Sequence, residues 1–155
     1  MNISDILTPA RIELAMHAAS KKRALEGVSE LIAADTNLNS TVVFQSLIER
    51  ERIGSTGIGE NIAIPHGRLK GLDQPIGAFT ILEQQIDFDA IDQKPVNIIF
   101  ALVVPEEATD EHLLLLAQLA KIFSNKEAKE KLLGASSPEG ALLLFKEFNA
   151  NQAIA

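Results

Sequence analysis

The segment GSTGIGENIAIPHG (54–67) gathers four glycines, a proline and a histidine, and no other stretch of the chain is so rich in groups suited to chemistry. Glycine tolerates the dihedrals that let successive backbone N–H groups converge on an anion, which makes Gly57 and Gly59 candidates for a phosphate-holding loop. The segment is not a Walker A loop, because no Lys-Ser/Thr pair follows the final glycine. It precedes a strand-like stretch and not a helix, so the dinucleotide fingerprint fails as well. On residue types alone, a tight turn with no ligand is the plainer alternative.

His66 stands between Pro65 and Gly67 at the end of an Ile62–Ile64 strand. Proline fixes its own backbone angle, and glycine lets the chain leave in directions closed to other residues, so a histidine framed this way can be held rigidly at a sheet edge. A neutral imidazole carries an in-plane lone pair and attacks without a general base. An ordinary surface or capping histidine is the competing reading. His112 falls in the first turn of a helix capped by Thr109, just past an apolar strand; the positive helix end should keep its ring neutral. It could equally be a first-turn residue packed on a loop. His17 has no comparable framing and reads as an ordinary surface residue. Arg50 and Arg52 lie in the last turn of a helix ending at Gly54, where they offset the negative helix end and also arrive beside the glycine loop. From Glu49 to Lys70 there are four cations against three carboxylates, in a chain of net charge −7. No carboxylate pair has diagnostic spacing, and no His/Asp/Glu cluster looks like a metal site.

The elements that must position these residues follow from periodicity. Ser20 caps a helix whose Leu25, Val28, Leu31 and Ile32 share a face. A second helix starts near Ser40, with Phe44, Leu47, Ile48 and Glu51 at helical spacing and Gly54 as a left-handed stop. Ile62 and Ile64 alternate like a half-buried strand; 76–82 and 95–104 read as strands, the latter central, and 87–91 as a shorter one. Asp92-Gln-Lys-Pro95 supplies a turn. Leu113, Leu116, Ala117, Ala120 and Phe123 predict the buried face of the helix after Thr109. A short helix follows over 125–134. The last opens at Ser137-Pro138 with Leu142, Phe145 and Phe148 as its stripe. The pattern implies one α/β domain over 1–155, a sandwich with a mixed, roughly five-stranded sheet flanked by helices.

Composition bounds the function. The acidic balance argues against nucleic acid and anionic membrane surfaces, and the absence of cysteine excludes disulfides, thiolate zinc and thiol catalysis. With no basic leader and no apolar run near the ~18 residues of a membrane span, a cytoplasmic protein is expected.

At ERERIGSTGIGENIAIPHGRL (49–69) the chain resembles the fructose/mannitol-type IIA family of the bacterial phosphotransferase system, with the wording nearest the nitrogen-regulatory branch. The resemblance extends over nearly the whole chain, including SKKRALEGVSELIA (20–33) and FDAIDQKPVNIIFALVVP (88–105). It implies that His66 is the phosphorylated residue, Arg50 the active-site arginine and His112 the second active-site histidine, with Ser55 and Thr56 as loop residues near the phosphoryl group. It implies a histidine-containing phosphocarrier protein as donor, regulated target proteins as partners, and neither cofactor nor metal. Two alternatives stay open: a sugar-specific component passing phosphate to a permease, and a purely regulatory binding module.

Overall fold

A computed structural model describes residues 1–107 and 109–154; the side chains of Thr109 and of 150–154 lie outside the description, and with them the capping expected of Thr109. Two short 3-10 turns (Ile3–Ile6, Pro9–Arg11) lead into β1 (Ile12–Met16), α1 (Lys21–Ala33) and α2 (Ser40–Ile53). Then come β2 (Gly57–Gly59), β3 (Ile62–Ala63), β4 (His66–Leu69), β5 (Ile76–Ile86) and β6 (Val96–Pro105). The chain closes with α3 (Thr109–Phe123), α4 (Lys126–Leu133) and α5 (Pro138–Ile154).

The sheet is mixed and six-stranded, in the order β1-β5-β6-β3-β2 with β4 also on β6. β5 and β6 pair antiparallel, while β1 runs parallel to β5, and β3 and β4 run parallel to β6. β3 pairs with Ile98 and Ile99, and β4 with Leu102 to Pro105, so the two follow one another along a single edge of β6. Taken as one interrupted strand, they reconcile the six strands with the five expected.

Alternation along β6 builds two cores. Ile98, Phe100 and Leu102 face the layer of α3, α4 and α5, whereas Ile99, Ala101 and Val103 face α1 and α2. The first layer concentrates the aromatic residues around Phe145, whose ring meets Phe79 at 5.1 Å, Phe100 at 5.7 Å and Phe148 at 6.1 Å, all edge-on. Such edge-to-face pairs add to the area buried. The second layer is aliphatic apart from Phe88 and the half-buried Phe44.

Capping behaves as its chemistry requires. Ser20 accepts from the Arg23 N–H, and the Ser137 hydroxyl from Gly140 N–H ahead of Pro138. α2 is capped by Asn39, whose side chain accepts from Thr41 and Val42.

Five expectations change. Gly54 ends α2 in an extended conformation (φ 170°), not a left-handed one, and Arg50 caps the turn by donating to the Gly54 carbonyl. Residues 87–91 form a loop, because Asp89 takes a positive φ of 57° inside an Asp87-capped turn. Ala63 is buried along with Ile62 and Ile64, so the alternation read there divides the strand between the two cores and leaves no solvent face. β1 is an additional strand: its IELAM stretch is only five residues long and includes Glu13 and Ala15, types that strands disfavour. α3 is rotated from the face expected, since Leu115, Leu119, Ile122 and Phe123 are buried while Leu113 is 66% exposed. An apolar run of four leucines offers more than one face, and packing chooses between them.

Candidate functional site

His66 opens β4, and its neighbours determine which ring nitrogen is available. Its Nδ1 lies 2.9 Å from the Ile64 carbonyl oxygen. A carbonyl only accepts, so in the neutral ring Nδ1 carries the proton and Nε2 the lone pair. Burial lowers the pKa of His66 from its ordinary 6.5 and the Arg50 charge lowers it further; the Ile64 hydrogen bond and Glu51 oppose without cancelling. The ring is thus poised as a neutral nucleophile.

His112 comes from the first turn of α3 and meets His66 edge-on, the ring centroids 5.0 Å apart and the planes 73° to each other. It is 9% exposed, and its Nε2 is buried with no hydrogen-bond partner among the described residues. Buried polar atoms are rarely left so, and this one, beside His66, is free to bond a group from outside the protein. Its pKa is also lowered, first by burial, then by His66, Arg68 and Arg50. The expected neutrality holds, with burial rather than the helix end as the leading cause.

Arg50 projects from the last turn of α2 with its guanidinium on the Gly54 carbonyl at 2.8 Å, and its charge reaches both histidines. Arg68 was not singled out from the sequence, yet its charge reaches His112. Strand alternation explains it: His66 and Arg68, two apart on β4, point to one side of the sheet, while Gly67 and Leu69 point to the other and are buried. The signal was in the letters PHGR, provided that the strand begins at His66 and not before it.

Gly67 sits at a close approach. A Cβ there would overlap the Ser46 Oγ and lie 3.0 Å from its backbone on α2, and the Ser46 hydroxyl donates to the Arg68 carbonyl. Its value is steric, not a matter of unusual dihedrals.

The glycine segment is a β-hairpin. Glu60 (φ 57°) and Asn61 (φ 69°) occupy the two central positions of its turn, the signs a two-residue type I′ connection requires. Gly57 packs so close to Ala90 that a Cβ would stand 2.8 Å from the alanine methyl, and Gly59 adopts φ +96°. The Ser55 hydroxyl donates to the Phe88 carbonyl at 2.7 Å and accepts from the Gly57 N–H at 3.0 Å. Thr56 donates both its N–H and its hydroxyl to Glu51. These groups have partners inside the protein. His17 lies apart, exposed near Glu83.

Among the described residues no cluster of three or more His, Cys, Asp or Glu could hold a metal, and no helix is long and apolar enough to cross a membrane.

Comparison with known proteins agrees with this fold. Residues 5–148 match the family "Phosphoenolpyruvate-dependent sugar phosphotransferase system, EIIA 2". The nitrogen regulatory protein of Klebsiella oxytoca is 41% identical over 152 residues, covering 97% of this chain and 94% of the relative. That of Pseudomonas aeruginosa is 41% identical over 140 residues, covering 90% and 91%. The crystal structure of nitrogen regulatory protein IIA-Ntr from Neisseria meningitidis superposes with a TM-score of 0.87 at 44% identity, over 92% of this chain and 98% of that one. Sequence kinship along most of the chain and a shared fold thus coincide, and the chain belongs to the EIIA type-2 family of the phosphoenolpyruvate-dependent sugar phosphotransferase system.

Proposed function

We propose that the protein is a cytoplasmic phosphoryl carrier in which the Nε2 of His66 takes a phosphoryl group from a phosphohistidine on a small phosphocarrier protein. The observation that carries this reading is the hydrogen bond between His66 Nδ1 and the Ile64 carbonyl, which leaves Nε2 as the one nucleophilic nitrogen of a neutral ring. In the step, the donor's P–N bond breaks as the bond from phosphorus to Nε2 forms. The Nδ1 proton stays where it is, and no base is required.

Phosphoryl transfer passes through a loose transition state, so positioning and charge stabilisation supply most of the rate. Arg50 and His112 are assigned that role, the unpartnered Nε2 of His112 being suited to a phosphoryl oxygen when it carries a proton. In that tautomer it is a donor aimed at charge that arrives during transfer. Ser55, Thr56, Gly57 and Gly59 are assigned to the wall of the phosphate site. With the Ser55 and Thr56 hydroxyls already engaged, the contribution of this loop is its shape rather than free donors. The whole chain, 1–155, acts as one such domain.

We further propose a regulatory destination, in which target proteins distinguish the phosphorylated from the free form, as a new doubly charged group beside the site would allow. The likeness to nitrogen regulatory proteins along almost their full length supports it. The decisive experiment is incubation with phosphoenolpyruvate, the first enzyme of the system and its phosphocarrier, followed by intact-mass measurement. One added phosphate, lost in acid, kept in alkali and absent from His66→Ala, is the expected result. Phosphate uptake by His66→Ala would defeat the assignment, and rapid loss of label to a sugar permease component would redirect it to transport.

A further inference from the structure

Glu51 is a carboxylate buried to 7% exposure in the last turn of α2. Phosphoryl transfer has no direct use for it, since a carboxylate near an arriving phosphoryl group opposes its charge. Its hydrogen bonds indicate what holds it there. Both of its oxygens accept from the Thr56 N–H, each at 3.2 Å, and Oε1 also accepts from the Thr56 hydroxyl. Lys21 brings its Nζ to 2.9 Å from Oε2. The same ammonium lies 4.8 Å from the centre of the Phe88 ring and 3.6 Å from Asp89, so the buried charge is paired and covered.

From Thr56 the hydrogen bonds run on into the site. The Thr56 carbonyl accepts from the Ile64 N–H at 2.9 Å, and the Ile64 carbonyl is the group that meets His66 Nδ1, again at 2.9 Å. The helix end, the hairpin and the nucleophile are joined by one continuous path of hydrogen bonds. Burying a carboxylate carries a desolvation penalty that apolar residues of similar size would avoid, so its presence calls for a return in geometry.

We infer that Glu51, locked by Lys21, is a positioning residue for phosphoryl transfer: it fixes Thr56, and through the Thr56 and Ile64 carbonyls it holds His66 in the tautomer that leaves Nε2 free. This rests on His66 being the phosphoryl acceptor. A purely structural ion pair would close the end of α2 equally well but would have no influence on which nitrogen of His66 carries the proton.

The test uses the full-length protein and the variants Glu51→Gln, Thr56→Val and Thr56→Ser. The His66 tautomer is read from its ring 15N chemical shifts, and the rate of phosphate uptake from the phosphorylated phosphocarrier by intact mass. In the parent protein, the Nδ1–H form of His66 should dominate. In Glu51→Gln and Thr56→Val the two tautomers should mix and uptake should slow about tenfold or more, as small misplacements of a reacting atom do. Thr56→Ser, which restores the hydroxyl, should recover both. Folded Thr56→Val with an unchanged tautomer overturns the inference, whatever its rate, and this variant pair carries the test should Glu51→Gln fail to fold. Uptake by His66→Ala would instead overturn the acceptor assignment, while the tautomer measurement would still decide the part played by Glu51.

Discussion

An imidazole that receives a phosphoryl group must be unprotonated on one nitrogen and fixed on the other, and His66 meets both conditions through one backbone carbonyl and its own burial. Because its pKa is lowered from 6.5, the neutral fraction survives to lower pH than in an ordinary histidine. Phosphate uptake should therefore stay level as pH falls from about 8 to about 6.5 and decline only below, which an initial-rate series would show. The same shifts bear on stability. Both His66 and His112 bind protons less readily folded than unfolded, so their contribution is intact above 6.5 and is lost as pH falls towards the depressed folded values. Urea midpoints measured down through that range should fall accordingly. Arg50→Ala should slow transfer by about 10²–10³. Its only side-chain hydrogen bond among the described residues is an exposed one to Gly54, so stability should stay within about 1 kcal/mol of the parent by urea titration. At this scale much was legible, because Pro-His-Gly and its glycine segment are adjacent in the chain. Arg68 was not, since it depends on where a strand starts, and Glu51, though spaced with Leu47 and Ile48 on one helix face, gave no sign of its partners Thr56 and Lys21.

The elements bring these side chains within reach by close approach and by shared core. β4 can lie against α2 only while residue 67 has no side chain, so Gly67→Ala should force the two apart. An overpacking cost of about 1–3 kcal/mol is expected, with a drop in phosphate uptake out of proportion to it because His66 moves with its strand. On the opposite layer, Phe145 touches Phe79, Phe100 and Phe148, and Phe145→Ala should cost about 3–5 kcal/mol by denaturant unfolding. Helix existence was readable from period and caps: Ser20, Asn125 and Ser137-Pro138 mark starts that the structure contains. The orientation of α3 was not readable, because Leu113 to Leu116 make it apolar on adjacent sides and only contact with the sheet selects Leu115 and Leu119.

At the scale of the molecule, α3 leaves Leu113 and Leu114, the two residues after His112 in the chain, in solvent, 66% and 65% exposed. Apolar side chains left uncovered there suit a docking protein and contribute little to the core. Replacing both by serine should raise the phosphocarrier concentration needed for half-maximal uptake while leaving the thermal midpoint nearly unchanged, a contrast that steady-state assays and a melting curve would expose. Read as a string of residues, the chain already establishes the acidic, cysteine-free composition, the alternation of helices and strands, and the histidine between proline and glycine, because these are local properties. Folding alone decides that His112 comes within 5.0 Å of His66, that β1 joins the sheet at β5, and that Lys21 reaches Glu51. Those contacts join residues far apart in sequence, and they exist only because a common core aligns the elements that carry them.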